Sequence, residues 1–223
     1  MSAPVAVIVG AGPGVGAALA RMLGRNGWAI ALIARDEGRL TALGESLQAE
    51  DITVGWTALD VTDTDELTAA VTRFGGFGGQ IDLLHHNAVA FRSARATELT
   101  AAQLLADVTV GAASLLTSVQ AALPFLRPGS VVLATGGGSA RSPMTSAASL
   151  GVQKAALRNL VSALDQDLRE RGIRAASLTV NGTIAAGTPF DPELIAGALA
   201  DLAALAGSAG AGWRTEVPFD GAT

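Results

Sequence analysis

Short apolar runs alternate with amphipathic segments along almost the whole chain. Apolar runs of aliphatic and β-branched residues predict buried strands, and leucine and alanine recurring at helical spacing predict helices. The predicted strands are 5–9, 28–34, 52–58, 81–86, 130–134, 174–180 and 213–220, and the predicted helices are 14–26, 36–50, 62–74, 100–126, 147–171 and 191–205. This alternation predicts an α/β protein with a doubly wound parallel sheet between two layers of helices.

Glycine and polar residues mark the predicted ends of several elements. Gly27 is the expected C-cap of the first helix, and the spacing from Thr62 to Asp65 matches a capping box at the start of the third. Residues 74–80 contain four glycines, which predicts a loop after that helix. A second glycine-rich run, 207–212, predicts a hinge before the last strand.

Length and composition describe one apolar domain. The 223 residues suit a single well-packed domain, 1–223, without an evident second one. With 49% hydrophobic residues, 16% charged residues and a mean hydropathy of +0.40, we expect part of the surface to be buried in an oligomer. No apolar run reaches about 18 residues without a charge or a breaker, so we expect no transmembrane helix. Residues 1–4 lack a basic segment typical of a signal peptide, and we expect a cytoplasmic protein.

Charge and residue usage argue against several classes of function. The net charge is −5 without a basic cluster, which argues against nucleic-acid binding. The chain has no cysteine, which excludes disulfides and thiolate catalysis. Its two histidines, His85 and His86, are neighbours on a predicted strand and therefore point to opposite faces. We expect no metal site.

The counts of tyrosine and lysine are unusual. There is no tyrosine, and Lys154 is the one lysine among 15 basic residues. A compact ammonium at that position is one interpretation, because arginine supplies positive charge everywhere else. Compositional bias with one accidental lysine is the alternative.

Glycines follow the first predicted strand. Gly10, Gly14 and Gly16 stand between that strand and a helix, and the residue between the last two is Val15. A helix start offers free N–H groups and the positive end of a dipole, which suits a pyrophosphate, and glycine lets the phosphates approach the backbone. The alternative is a strand-to-helix turn without a ligand.

The end of the second predicted strand bears on the choice of dinucleotide. An acidic residue there would bind the ribose 2′-hydroxyl of NAD, whereas an arginine accommodates the 2′-phosphate of NADP. Arg35 favours NADP(H) over NAD(H), and Asp36 favours the opposite unless it caps the next helix.

Several motifs resemble those of the short-chain dehydrogenase/reductase family over residues 5–188. The glycines have the family's Gly-x-x-x-Gly-x-Gly spacing, Asp60-Val61 follows the third strand, and Asn87-Ala88 follows the fourth. The resemblance implies a single Rossmann-like domain of about seven strands in the order 3-2-1-4-5-6-7. It also implies that Asp60 and Val61 meet the adenine, and that Asn87 and Ala88 line the cofactor and brace the sheet.

The segment from Leu150 to Lys154 resembles the family's active-site helix, Tyr-x-x-x-Lys. In the family, the lysine binds the nicotinamide ribose and the tyrosine gives or takes the proton. Here Lys154 is kept, but Leu150 stands at the tyrosine position, Gly137 at the serine position and Thr109 at the asparagine position of the helix before. Thr135 and Ser139 flank Gly137 and either could substitute for the serine after a small shift; Ser139 is the predicted one. Other candidate proton donors are Ser146, Ser149 and His86.

The region after the sixth strand resembles the family's cofactor-cupping loop and substrate lid. Ile184 would offer backbone groups to the carboxamide and Thr188 would reach the pyrophosphate, although an ordinary loop is the alternative. The lid, about 182–212, is short and apolar, which suggests a small apolar substrate. Helices 100–126 and 147–171 would pair across a two-fold axis into a homodimer or homotetramer.

Three functions remain open from the sequence. The first is an NAD(P)(H)-dependent oxidoreductase acting on a carbonyl or alcohol with an atypical site. The second is an NADP(H)-binding pseudoenzyme, acting as a sensor or oligomer partner without hydride transfer. The third is a structural relative that has lost the cofactor, against which the retained glycines and Lys154 argue.

Overall fold

A single parallel sheet organises the part of the chain that the structure, a computed structural model, describes: residues 3–206 and 212–221. The strands are β1 Val5–Val9, β2 Ala29–Ala34, β3 Val54–Ala58, β4 Leu83–His86, β5 Val131–Gly137, β6 Arg174–Val180 and β7 Glu216–Phe219. Their order in the sheet is β3-β2-β1-β4-β5-β6-β7, which confirms the predicted fold class and strand order.

Helices cover both faces of the sheet. They are α1 Val15–Arg25, α2 Glu37–Gln48, α3 Thr64–Gly78, α4 Ala101–Val108, α5 Ser114–Ala122, α6 Ala148–Leu168 and α7 Pro192–Ala206. Successive strand residues point to opposite faces, so each strand contributes to two cores. In β1, Val7 and Val9 pack towards α3, α5 and α6, whereas Ala6 and Ile8 pack towards α1, α2 and α7.

The strand register brings the carboxyl ends of the central strands together. Val9, the last residue of β1, lies opposite Ile33 of β2 and His86 of β4. The loops that leave these strands therefore start at one edge, at the point where the strand order reverses. In open α/β sheets this is where ligands bind.

The third helix differs from its prediction at both ends. Its N-cap is Asp63, whose carboxylate accepts from the N–H groups of Asp65 and Glu66, so the expected capping box at Thr62 is wrong. The helix also continues to Gly78, through most of the predicted loop 74–80. Two of its glycines are needed for packing, because the Phe125 ring covers Gly75 and Val5 lies against Gly78.

The predicted helix 100–126 is interrupted in the middle. Thr100 caps it as expected, but a π-helical turn, Thr109–Ala113, separates α4 from α5. The Ser114 hydroxyl donates to the Val110 carbonyl at 2.7 Å, and the Thr109 hydroxyl donates to the Leu105 carbonyl at 2.9 Å. Serine and threonine bonds of this kind compete with the regular backbone ladder.

The segment Ala101–Ala122 contains an 18-residue window of mean hydropathy 1.4 and is long and apolar enough to span a membrane, and it alone is so among the helices of the described residues. A helix that packs on a sheet needs the same composition, and here Leu115 and Val119 are buried in the core. The expected absence of a membrane span therefore stays a prediction.

The observed ends of other elements differ from the predicted ends by a few residues. Asn26 is the C-cap of α1, and Gly27, with φ +83°, follows it. Strand β5 runs three residues beyond its predicted end, to Gly137, while β7 is confined to Glu216–Phe219. Residues 207–211 of the predicted hinge lie outside the described residues.

Candidate functional site

The glycines after β1 divide into two kinds. Gly10 has φ +88°, and a Cβ on it would lie 2.7 Å from the Cα of Ala88. A Cβ on Gly16 would lie 2.9 Å from the Cα of Ala11. Around Gly12, by contrast, no described atom lies within 4 Å of such a Cβ, and at Gly14 the nearest lies at 4.0 Å. Two glycines are therefore needed for packing, and two keep the backbone open to a ligand.

The start of α1 suits an anion. Its N-cap is Gly14, which makes no side-chain cap, and its first turn carries no acidic residue. Val15 is buried and offers the site only its backbone. Because the first N–H groups of a helix have no intrahelical partner, this corner can bind phosphate oxygens. Gly12 is a member of the corner that the sequence analysis missed.

Asn87 ties the end of β4 to the glycine turn. Its side-chain Nδ2 donates to the Gly10 carbonyl at 3.0 Å, and its backbone N–H donates to the Val9 carbonyl at 2.7 Å. Ala88 is buried directly against Gly10. The pair thus braces the sheet at its switch point, as the family resemblance implies.

A cleft of about 970 Å³ opens at this edge of the sheet. Six of the predicted cofactor residues line it: Gly10, Arg35, Asp60, Val61, Asn87 and Ala88. It also has lining residues that the sequence analysis did not single out: Gly12, Arg39, Phe91, Arg92 and Val110. The cleft therefore collects residues that the family resemblance assigns to the adenosine half of a dinucleotide.

Two arginines lie at the end of the cleft formed by β2 and the start of α2. Arg35 and Arg39 both line the cleft and are exposed. Asp36 caps α2, because its Oδ1 accepts from the backbone N–H of Arg39 at 3.0 Å, and its Oδ2 lies 3.3 Å from the Arg39 Nε. The helix-cap interpretation of Asp36 is therefore confirmed. Arg39 could have been predicted from the sequence, because it lies in the first turn of the helix that follows β2.

Asp60 is held as a carboxylate at the end of β3. Its Oδ1 accepts from the backbone N–H of Thr62 at 2.9 Å and from the Thr62 hydroxyl at 2.8 Å. These hydrogen bonds, with a smaller contribution from the charge of Arg35, hold the pKa of Asp60 below its usual value. Oδ2 is the oxygen that could accept a hydrogen bond from an adenine amine.

An ion pair closes another part of the cleft. Arg92 binds Asp107 through two parallel hydrogen bonds of 2.9 Å. Asp107 is 3% exposed, and the Arg92 guanidinium holds the pKa of its carboxyl below the usual value. Bidentate geometry of this kind is directional as well as strong, so the pair fixes the loop after β4 against α4.

Lys154 lies on α6, separate from the cleft-lining residues. It is 7% exposed, and its Nζ donates to the Thr135 carbonyl at 2.7 Å. Burial lowers the pKa of Lys154 to about 8, because the charged form loses hydration. The group is still mostly an ammonium at pH 7.

Ser139 and Lys154 approach the same point. A Cβ on Gly137 would lie 3.6 Å from the Ser139 Oγ and 3.7 Å from the Lys154 Cγ. Gly137 is the position at which the family has its serine, so the Ser139 hydroxyl stands close to where that serine would begin. The Ser139 hydroxyl and the aliphatic part of the Lys154 side chain therefore both lie beside Gly137, while the Lys154 Nζ is bound to the Thr135 carbonyl.

The two histidines are structural. Both are fully buried, with His85 Nε2 3.0 Å from the Thr135 Oγ1 and His86 Nε2 2.8 Å from the Ser114 Oγ. Burial lowers the pKa of each to about 3, so both rings are neutral imidazoles rather than imidazolium acids at neutral pH. No cluster of metal-ligating side chains is present among the residues that the structure describes.

The loop after β6 contains the remaining predicted residues. Ile184 is exposed, while the Thr188 hydroxyl donates to the Ala185 carbonyl at 2.8 Å and accepts from the Phe190 N–H at 3.1 Å. That hydroxyl is therefore engaged within the loop. Beyond it, α7 packs against α1, so within the described part of the expected lid, 182–206 and 212, residues 182–191 form a loop that precedes this helix.

Comparison with known proteins identifies the protein family to which this fold and cleft belong. A family model for short chain dehydrogenases matches residues 4–190. An uncharacterized oxidoreductase from Staphylococcus saprophyticus is 30% identical over 178 residues, which cover 78% of this chain and 76% of that protein. The chain belongs to the short-chain dehydrogenase/reductase family, whose members are NAD(P)-dependent oxidoreductases.

Solved structures agree with the fold. A short-chain dehydrogenase/reductase from Serratia marcescens is 27% identical, with a TM-score of 0.84 over 99% of this chain and 97% of that one. A short chain dehydrogenase from Burkholderia cenocepacia, solved in complex with NADP, is 23% identical, with a TM-score of 0.87 over 98% and 96% of the two chains.

Proposed function

We propose that this protein is an NADP(H)-dependent oxidoreductase that interconverts a carbonyl and an alcohol with an atypical active site. The observation that carries the proposal is that the Ser139 hydroxyl and the aliphatic part of the Lys154 side chain both lie beside Gly137. An ammonium and a hydroxyl, placed beyond a phosphate-binding corner, can hold the sugar of a dinucleotide and orient a carbonyl beside it.

The preference for NADP(H) is supported by the two arginines. Arg35 and Arg39 both reach the cleft, and Asp36 is occupied as the cap of α2. A guanidinium pair favours a 2′-phosphate, whereas a free carboxylate at this point would favour a 2′-hydroxyl. The Burkholderia cenocepacia relative, solved with NADP, agrees with this preference.

Comparative titration tests the cofactor. NADPH and NADH fluorescence is followed with the native protein, Arg35→Ala, Arg39→Ala and a control, Arg25→Ala, whose side chain pairs with Glu50 away from the cleft. We expect each cleft variant to weaken NADPH binding about tenfold while NADH binding changes little, because each loses one charge-assisted contact. Equal losses for both nucleotides would contradict the proposed preference.

Lys154 and Ser139 can position a nicotinamide ribose and a substrate carbonyl, but neither is a good proton donor for the substrate oxygen. When bound, the nicotinamide supplies or accepts a hydride. The Lys154 ammonium would hold the ribose, and the Ser139 hydroxyl would donate a hydrogen bond to the substrate oxygen. A serine is a poor acid, and a positioned acid or base contributes about 10²–10⁴ in rate. We therefore infer slow turnover, with water as the proton source behind Ser139.

The activity assay follows absorbance loss of NADPH with a panel of ketones and quinones. We expect slow turnover that Ser139→Ala reduces and that Lys154→Met nearly abolishes. Ser142→Ala, a change on an exposed residue of the same loop, is the control. Turnover that survives Lys154→Met would exclude the proposed site.

Apolar side chains at three loops support an apolar substrate. Phe91, Met144 and Ile184 are exposed at 70%, 43% and 41% on the loops after β4, β5 and β6. The loop after β4 is tied to the start of α6, where the loop after β5 ends, because the Ala148 N–H donates to the Ala94 carbonyl at 3.0 Å. These loops leave the edge of the sheet at which the cleft opens, so we expect the assay to favour small apolar ketones.

The leucine at the family's tyrosine position supports a second function, cofactor binding without hydride transfer. Leu150 cannot transfer a proton, and no phenol exists elsewhere in the chain. An NADP(H)-binding pseudoenzyme, acting as a sensor or oligomer partner, would have the same cleft and the same Lys154. NADPH binding without turnover on any member of the panel would favour this second function.

Exposed apolar residues on the outer helices support a homodimer or homotetramer. Leu105 of α4, Leu116 of α5 and Val152 of α6 are exposed at 67%, 39% and 46%. Such residues usually become buried when copies of a chain associate. Light scattering at micromolar concentration should find an oligomer that Leu105→Glu dissociates and that Phe77→Glu, on α3, leaves intact. A monomeric native protein would refute this assembly.

A further inference from the structure

The Gln153 side chain crosses from α6 to the wall of the cleft. It is fully buried, and its amide makes two hydrogen bonds with the backbone of a single residue. Nε2 donates to the Ala90 carbonyl at 2.8 Å, and the Ala90 N–H donates to Oε1 at 3.1 Å. One side chain therefore satisfies both polar backbone groups of Ala90, as a neighbouring strand would.

The space for this side chain is built by the π-helical turn. A Cβ on Gly111 would lie 2.8 Å from the Gln153 Cδ, so glycine is needed there. The Ser114 hydroxyl donates to the Val110 carbonyl, which leaves its lone pairs to accept from His86 Nε2. His86 and Ser114 thus hold the turn in the shape that admits Gln153.

The contact joins two sides of the dinucleotide site. Residues 88–91 line the cleft, and Asn87 anchors their near end to Gly10. Ala90 is anchored by Gln153, and the next residue of the same helix is Lys154, whose Nζ is bound to the Thr135 carbonyl. Because a helix moves as a rigid unit, the bonds to Ala90 fix the cleft wall relative to the ammonium.

We propose that Gln153 is a positioning residue for the dinucleotide, clamping the cleft wall at Ala90 to the turn of α6 that carries Lys154. This inference rests on the proposed cofactor binding. An apolar side chain of similar size would fill the same space, but it would leave the N–H and C=O of Ala90 without partners and the wall free to move.

The first test compares Gln153→Met with Gln48→Met, the same change at an exposed site at the end of α2. NADPH fluorescence titration should give a dissociation constant raised about tenfold for Gln153→Met and an unchanged one for Gln48→Met. In the protein without nucleotide, hydrogen exchange of the Ala90 amide should be faster in Gln153→Met only.

A second variant, Gln153→Glu, is tested by the pH dependence of its NADPH affinity, which a purely packing role of Gln153 would not change. The introduced carboxylate, when ionised, accepts from the Ala90 N–H but cannot donate to its carbonyl, whereas the protonated carboxylic acid does both. NADPH affinity relative to the native protein should therefore recover as the pH falls from 8.5 to 5.5, while Gln153→Met stays flat. Charged or titratable groups close to this site include Lys154 on α6, Asp107 on α4 with its partner Arg92 on the loop after β4, and His86 on β4.

The outcomes separate the two proposals. If the native protein binds no dinucleotide, the proposed function is wrong and the positioning role is wrong with it. If the native protein binds NADPH and both Gln153 variants bind it equally well at every pH, the positioning role alone is wrong. Loss of affinity with slow Ala90 exchange would also overturn the clamp, since the wall would then be held by something else.

Discussion

Raising the pH tests the role of Lys154 without altering the fold. Burial lowers its pKa to about 8, so the side chain is about 90% ammonium at pH 7 and about 10% at pH 9. If the dinucleotide binds only to the ammonium form, the dissociation constant for NADPH should rise about tenfold between these values. A group with the usual lysine pKa would give almost no change over the same range.

The assay is fluorescence titration of NADPH from pH 7 to pH 9.5, with Lys154→Met as the reference. That variant should bind more weakly throughout and show no loss between pH 7 and pH 9. The chain has no other lysine, no tyrosine and no cysteine, so few other groups titrate in this range. Parallel curves for the native protein and Lys154→Met would refute the argument.

The same ionisation affects stability, with a definite sign. The pKa of Lys154 is about 8 in the fold and 10.5 in the unfolded chain, so between these values the unfolded state binds more protons. The free energy of unfolding should therefore rise with pH from about 8 to about 10.5, by at most about 3 kcal/mol relative to Lys154→Met. Urea unfolding at several pH values measures it, and a fall over this interval would show that the ammonium is not destabilised by burial.

Three further changes have defined outcomes. Leu150→Tyr places a phenol four residues before Lys154 and should raise ketone reduction by about 10²–10⁴, while Val152→Tyr, exposed on the same helix, should not. A Cβ on Gly75 would lie 2.5 Å from the Phe125 Cγ, so Gly75→Ala should lower the free energy of unfolding by about 1–2 kcal/mol in urea, whereas Gly76→Ala, with open space around it, should raise it by about 0.5–1 kcal/mol. Asp165 is buried and binds Arg174 through two 2.9 Å bonds, so Asp165→Ala should cost about 3–5 kcal/mol by the same measurement; a loss below about 1 kcal/mol would mean that water replaces the carboxylate.

Prediction from the sequence failed where a long-range contact decides a local conformation. The glycines of 74–80 indicated a loop, yet Gly75 and Gly78 lie in α3 because Phe125 and Val5 occupy the space beside them. Similarly, the apolar pattern of 100–126 predicted one continuous helix. The π-helical turn depends on Ser114 and on a histidine from another element, and neither is visible as a period in the sequence.

The family resemblance predicted the strand order. Hydrophobic periodicity and glycine spacing by themselves determined the alternation of elements and the glycine turn between β1 and α1 at Gly10, Gly14 and Gly16. These features are local, because a strand, a turn and a helix start are encoded by residues within a few positions of one another. The tertiary structure alone decided which side chains meet at the site. It placed the Ser139 hydroxyl and the Lys154 side chain beside Gly137, brought Arg39 to the cleft with Arg35, and bound Gln153 to Ala90, since such contacts depend on how distant elements pack.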